Sequence, residues 1–411
     1  MTERGSDRAV LALVAMIVFI DIAGLGLILP VMPRLIISLA DVTIDRAAEI
    51  GGWLLFAYAV MQFLFAPVIG GLSDRFGRRP VLLLTLFALG IDYALMAWAP
   101  TLAWLFVGRL ISGVMGATFT AANSCIADIV PPAERGRAFG ALGGAGAAGF
   151  VLGPGIGGLL GGLGERVPFM AASGVALTGA LIGWFVLRET LPPERRRAFS
   201  ILRANPVGSI VQMARIPLVI GCLVTILFMQ LAAQSQLSVW SFQGIARFGW
   251  SPLIIGVTIA LFGIMLAGAQ GFAVGPLVKR FGARRVAVVG LSCGLPSYLM
   301  LATAPNTAIL LVGMVVGAFA GVTFPAMQQM MTLRVPDDAQ GELQGAIASV
   351  ISLTSIIGPP IMTGVFGAFA DAKGLYFPGA PFLLAAILLA IAWAALFVTM
   401  RWHGEELVAP F

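Results

Sequence analysis

The sequence predicts an all-α integral membrane protein, with twelve transmembrane helices in two six-helix, pseudo-symmetric halves. Three observations carry that prediction. Apolar stretches of spanning length follow one another along the whole chain. Motifs of the first half recur in the second at a fixed offset. Arginine and lysine gather in alternate loops. Hydrophobic residues make up 59% of the 411-residue chain and charged residues only 11%. Mean hydropathy is +0.98. A spanning helix needs about 20 apolar residues, which a water-soluble core does not require in series. A transmembrane β-barrel would alternate apolar and polar residues over strands of about ten. Here the apolar runs are continuous.

The spans read in order as follows. Residues 9–38 form the first and carry Asp21 in their interior. The second, 48–72, ends in a charged, glycine-bounded turn. The third, 80–99, carries Asp92, and the fourth, 102–129, carries Arg109. The fifth, 137–163, is rich in glycine around Pro154, and the sixth is 168–188. The second half supplies 215–243, 252–278, 284–304, 307–334, 343–370 and 379–401. Several exceed about 20 residues, so tilt or kinks are expected. The chain has 51 glycines and 24 prolines, which membrane helices tolerate and which allow close helix approach.

The run Gly70-Gly71-Leu72-Ser73-Asp74-Arg75-Phe76-Gly77-Arg78-Arg79 aligns with Gly275-Pro276-Leu277-Val278-Lys279-Arg280-Phe281-Gly282-Ala283-Arg284 at an offset of 205 residues. Gly153-Pro154 and Gly358-Pro359 match at the same offset. Two matches at one offset indicate parallel repeats. The expected division is an N-terminal bundle, 1–188, a cytoplasmic linker, 189–214, and a C-terminal bundle, 215–411. The linker is polar and broken by Pro192, Pro193 and Pro206. One position departs from the repeat: Asp74 corresponds to Lys279.

Loop charge sets orientation. One side carries Arg75, Arg78, Arg79, Arg135, Arg137, Arg188, Lys279, Arg280, Arg284, Arg285, Arg334, Arg401 and the arginines of the linker and N-terminus. The other carries only Arg34, Arg46, Arg166, Arg247 and Lys373. Both termini are therefore expected on the cytoplasmic side. The net charge of +6 reflects this asymmetry and calls for no nucleic-acid partner. The N-terminus has no cleavable signal pattern, so the first span is read as a membrane helix. Cys125, Cys222 and Cys293 fall within spans, which implies no disulfide framework. The excess of arginine over lysine points to a bacterium, and the inner (cytoplasmic) membrane is the expected location.

Charges inside an apolar span cost about 2.5–3.5 kcal/mol each at the bilayer centre, so Asp21, Asp92 and Arg109 mark a candidate proton-coupling site. Their structural reading is an ion pair that holds the first half together. Gly70, Asp74, Arg75, Gly77, Arg78 and Arg79 are the candidate gate. Positive-inside anchoring explains its arginines but not Asp74, which is suited to pair with a helix N-terminus or an arginine across the gate. Gly153, Pro154, Gly157 and Gly158 form a helix-five motif of close contact and kinking. Candidate substrate contacts are Gln62, Asn123, Gln230, Gln234, Phe324, Gln328 and Met331. The amides serve equally to stitch helices together, and methionines to fill cores. The only histidine is His403, in the tail. No metal cluster, nucleophile–base pair or phosphate loop is legible, so no enzyme, cofactor or metal site is expected.

The Gly70–Pro80 turn resembles the loop between helices two and three of the major facilitator superfamily, where it sits at the cytoplasmic gate. With the Asp21–Pro33, Asp92–Ala97, Gly108–Gly113, Ile126–Ile129 and Gln340–Pro359 segments, the chain is similar to the tetracycline/proton antiporter class of twelve-helix drug exporters. The resemblance implies a monomeric secondary transporter that exports an amphipathic drug-like molecule for protons, by alternating access around a central cavity. The helix-five motif marks proton-coupled exporters of that family. One departure weighs against tetracycline itself: the class has an acid in helix nine where this chain has Gly294. The alternative is a metabolite or organic-anion carrier of the same fold. It would need convergent cationic residues, and only Arg109 qualifies.

Overall fold

The computed structural model describes residues 3–116, 118–196, 213, 216–371 and 374–402. Most of the expected linker, Lys373 and His403 lie outside the described residues. Among the described residues every regular element is helical, and twelve helices are long and apolar enough to cross a membrane. They are α1 (Glu3–Ile28), α2 (Ile44–Phe76), α3 (Arg78–Ala97), α4 in two pieces (Leu102–Met115 and Thr118–Ile129), α5 (Arg135–Gly161) and α6 (Val167–Val186). The second six are α7 (Pro217–Phe248), α8 (Pro252–Phe281), α9 (Ala283–Thr303), α10 in two pieces (Thr307–Ala320 and Thr323–Thr332), α11 (Gln340–Ala370) and α12 (Ala380–Trp402).

Local chemistry explains several boundaries. Proline falls in the first turn of α6 and α7, where its missing N–H costs nothing. Asn306 caps α10 by accepting from the Ile309 backbone N–H at 3.0 Å. The expected first span, 9–38, is not one helix. It breaks after Ile28 and resumes as a short helix, Met32–Ala40, because Pro30 and Pro33 interrupt the hydrogen-bond ladder.

The repeat extends to breaks that hydropathy does not reveal. α4 is interrupted at Gly116 and α10 at Gly321, which match at the same 205-residue offset. The turns after α2 and α8 also match: Gly77 has φ 107° and Gly282 has φ 79°. Only glycine takes that backbone without strain.

The described chain clusters into two compact units that do not follow the sequence halves. The first comprises Met1–Thr43, Trp53–Ala204 and Trp250–Gly263. The second comprises Ile44–Gly52, Asn205–Gly249 and Ile264–Phe411.

In the first unit, α5 lies directly on α1. A Cβ at Gly149 would sit 2.7 Å from the Phe19 carbonyl oxygen, and one at Gly153 would be 3.0 Å from Ala23 Cα. A Cβ at Gly157 would strike the backbone of Leu27. Glycine therefore lets the two backbones touch. The opposite face of α5 meets the first part of α8: a Cβ at Gly158 would lie 2.6 Å from the Pro252 carbonyl, and one at Gly256 would strike that of Pro154. The helix-five motif thus has two faces, Gly153, Gly157 and the Pro154 ring toward α1, and Gly158 and the Pro154 carbonyl toward α8. α3 and α6 are joined by the Ser173 hydroxyl, which donates to the Gly90 carbonyl at 2.8 Å.

In the second unit, Phe242 of α7 packs on Phe366 of α11, and Trp240 on Phe382 of α12. Ser297 of α9 donates to the Gly313 carbonyl of α10 at 2.8 Å. The first turns of α2 lie on α11, where Glu49 Oε1 would be 2.6 Å from a Cβ at Gly367. Large apolar side chains such as Phe185, 77% exposed, point outward, as lipid-facing surface requires.

Candidate functional site

The intramembrane charges converge within the first unit. Arg109 of α4 donates through Nη2 to Asp92 Oδ2 of α3 at 2.9 Å, and both side chains are almost fully buried. The same nitrogen lies 3.2 Å from the Met96 sulfur, and the guanidinium sits 5.8 Å from the Tyr58 ring centroid. The pair is incompletely satisfied: Asp92 Oδ1 and Arg109 Nε have no hydrogen-bond partner. Gly108 makes room for this carboxylate, since a Cβ there would strike Asp92 Oδ1.

Asp21 of α1 is half-buried and forms no ion pair among the described residues. It lines a small cleft with Tyr58, Tyr93, Arg109, Ser112 and Thr118. Gly24, one turn further along α1, leaves the space that the Tyr93 ring occupies. The three candidate residues are thus brought together, with Arg109 committed to Asp92 and Asp21 left without an ion pair, hydrogen-bonded to the Thr118 side chain.

Among the candidate gate residues the central one is Arg78. Its guanidinium bridges two acids: Nη1 donates to Asp74 Oδ1 at 2.6 Å and Nε to Asp128 Oδ2 at 2.9 Å. Ser73 Oγ accepts a third bond at 3.3 Å. The Arg78 backbone N–H donates to Glu189 Oε1 at 2.8 Å, and the N–H groups of Thr190 and Leu191 donate to the same oxygen at 3.0 Å. The α2–α3 turn is therefore locked both to the end of α4 and to the chain leaving α6. Asp74 pairs within its own turn here. Arg79 donates to the Trp184 carbonyl at 2.6 Å and stacks over its indole. Arg75 is exposed over Phe76. Gly70 has open space around it, with Thr120 Cγ2 at 3.9 Å the nearest atom to a Cβ, so packing does not demand a glycine there. Sequence reasoning gave Asp128 and Glu189 no part in the gate. They lie 50 and 111 residues from Arg78, beyond the reach of any local pattern.

The candidate substrate contacts divide. Gln62 donates to the Gly116 carbonyl at 2.9 Å and to Tyr58 Oη at 3.1 Å, so it serves the break in α4. Gln234 is buried against Gly358 of α11, its amide reaching Ser355 Oγ at 3.5 Å and its Oε1 unpartnered. Gln328, half-buried, donates to the exposed Gln344 at 3.2 Å. Met331 is fully buried and offers no wall to a ligand in this conformation. Asn123, Gln230 and Phe324 are half-buried. Gly294, the position matched to the missing acid, faces Leu389 of α12 and Ala320 of α10, in packed contact with both. Among the described residues no cluster is suited to hold a metal ion.

Twelve spanning helices in two repeats, with a buried charge pair in the first, define a polytopic membrane transporter. The model of the Major Facilitator Superfamily matches residues 11–245 and 232–407, and the chain belongs to that family. Curated relatives include a tetracycline resistance protein, class C, of Escherichia coli, 42% identical over 86% of this chain and 89% of that protein. A class G protein of Vibrio anguillarum is 38% identical over 89% of this chain and 92% of its own length. Among solved structures, a bacterial homologue of the human lysosomal transporter Spinster aligns with a TM-score of 0.80 at 20% identity, covering 95% of this chain and 96% of that one. That likeness supports the fold alone.

Proposed function

We propose that this chain is a proton-coupled drug exporter that carries an amphipathic, tetracycline-type molecule out of a bacterial cell. The observation that carries the coupling mechanism is the inequality of the two acids. Asp92 is held by Arg109, while Asp21 faces the cleft without an ion-pair partner. A carboxylate at membrane depth that holds no ion pair is the group that gains and loses a proton at least structural cost. Asp21 is therefore the proton carrier, and Asp92–Arg109 positions the wall beside it. Protonation removes the charge from the cleft and biases which side of the membrane the transporter opens to.

The substrate class follows from relatives at 32–42% identity over most of the chain, all tetracycline resistance proteins. Gly294 does not oppose it, since that position is enclosed by neighbouring side chains. The alternative, an organic-anion carrier, loses its one candidate cation, because Asp92 neutralises Arg109. The Arg78 cluster serves as the cytoplasmic gate, the termini and linker lie on that side of the inner membrane, and the chain works as a monomer of two halves surrounded by lipid.

Everted membrane vesicles test the reading. Imposing a pH gradient should drive tetracycline accumulation, and adding tetracycline to energised vesicles should release protons. Vesicles that carry tetracycline without proton movement would remove the coupling mechanism. Vesicles that carry no tetracycline but concentrate an organic acid would replace the substrate.

A further inference from the structure

The second unit contains a groove of about 670 Å³ that no transport role uses. It lies among the ends of α8 and α12, the first half of α9 and the central break of α10. Its walls are apolar, and Val289, Phe319 and Phe397 expose roughly half or more of their surface into or beside it. Three arginines, Arg284, Arg285 and Arg401, line the same groove. None of them forms an ion pair among the described residues. All three belong to the arginine-rich side of the chain, at the start of α9 and the end of α12.

The first repeat treats the corresponding place differently. Arg79, the repeat partner of Arg284, donates to the Trp184 carbonyl of α6 and is covered by the Trp184 ring. Arg284 donates in the same manner to the Met400 carbonyl of α12, at 3.0 Å. No aromatic ring covers Arg284 among the described residues, and the next position in the repeat is Arg285 where the first half has Pro80. The second half thus lacks the aromatic cover of the first at this arginine and carries one more cation beside it.

We propose that this groove binds one anionic glycerophospholipid of the arginine-side leaflet, its phosphate on Arg285 and Arg401 and an acyl chain along Val289, Phe319 and Phe397. Acyl chains will touch any lipid-facing groove, so the inference concerns the headgroup. An apolar slot closed by unpaired guanidinium groups fits a phosphodiester that carries net negative charge, and it fits a zwitterionic headgroup poorly. The rival occupants are the chain's own Glu405 and Glu406, which follow Arg401 and lie outside the described residues, and a lipophilic drug.

Native mass spectrometry of the full chain in detergent, titrated with phosphatidylglycerol and with phosphatidylcholine of the same acyl chains, tests this. The wild type should bind its first phosphatidylglycerol about tenfold more tightly than phosphatidylcholine, and R285Q/R401Q should reduce that preference to about threefold or less. Arg284 is kept because it joins α9 to α12. V289W should weaken the first adduct of both lipids without lowering the melting temperature, which separates groove filling from misfolding. E405Q/E406Q should leave the preference unchanged. Equal binding of the two lipids by the wild type, or a preference that survives R285Q/R401Q, overturns the proposal. A large gain in E405Q/E406Q assigns the arginines to the tail, and one-for-one displacement of phosphatidylglycerol by tetracycline assigns the groove to substrate. Either result also overturns it.

Discussion

Gln62 closes the break in α4 by donating its side-chain amide to the Gly116 carbonyl at 2.9 Å. The second repeat does the same with Gln270 of α8, which donates to the Gly321 carbonyl at 3.3 Å. A helix cannot be interrupted at membrane depth unless the freed backbone groups find partners. In both halves the neighbouring helix supplies an amide for the purpose. Substituting Gln62 by leucine should therefore cost about 1–3 kcal/mol of stability by orphaning the carbonyl. Q270L should cost less, because its bond is longer and more exposed. Thermal unfolding of both variants in detergent checks the order, and an unchanged melting temperature for Q62L would show that the carbonyl has another partner.

The two intramembrane acids should fail in different ways. Asp21→Asn keeps the shape of the protonated acid, so folding and substrate binding should persist while proton-driven accumulation is lost. Asp92→Leu strands the buried Arg109 guanidinium and should destabilise the protein by about 3–5 kcal/mol. Replacing both members, as D92L/R109M, should recover much of that stability. Melting temperature, ligand-binding and vesicle-transport measurements on the same preparations separate these outcomes. Normal coupling in Asp21→Asn would transfer the proton to Asp92.

Much of the fold was legible in the sequence. Hydropathy gave the number and order of the spans, and one offset gave the repeat. The breaks at Gly116 and Gly321 were not legible, because lone glycines are common in membrane helices and carry no mark of interruption. Arg78 stood in the candidate gate, but nothing set it apart from Arg75 and Arg79, since positive-inside anchoring explains any arginine in a basic turn. Its partners Asp128 and Glu189 become visible only when distant segments meet. Gln62 and Met331 were read as ligand contacts for a related reason: residue type does not say which face of a helix an amide or thioether occupies. Asp21, Asp92 and Arg109 stood out because charge in a span is rare, but spacing alone left open which acid the arginine chooses.

The Arg78 cluster, as the proposed gate, predicts graded transport defects. Asp74→Asn removes one charge-assisted bond to Arg78, worth about 1.5–3 kcal/mol, which is enough to shift a two-state population tenfold. Asp128→Asn should act with similar size, although it lies outside the recurrent turn. Expression should stay normal in both, because the cluster lies at the membrane edge and Arg78 keeps its other acid. Transport rates normalised to folded protein are the readout. If Asp128→Asn behaves as wild type while Asp74→Asn fails, the bridge to α4 has no part in gating.

Gly294 supplies the most direct conflict between a sequence comparison and a packed structure. The resemblance suggested that Gly294→Asp would restore a lost substrate contact. A side chain at this position points instead at Leu389 and Ala320, with Leu389 Cδ2 already inside contact distance of a bare Cβ. A carboxylate there would displace a core leucine and sit among apolar groups with no cation beside it. Burying an unpaired charge in that setting costs several kcal/mol or forces protonation. The expected result is loss of folded protein, with no gain in tetracycline transport per folded molecule. Gly294→Ala separates shape from charge, since it adds the methyl group alone and should cost about 1–3 kcal/mol through overpacking. Fluorescence-detected size exclusion and vesicle uptake of tetracycline, taken together, give the answer. A Gly294→Asp protein that folds normally and transports tetracycline faster would mean that α9 presents this position to the substrate in another conformation.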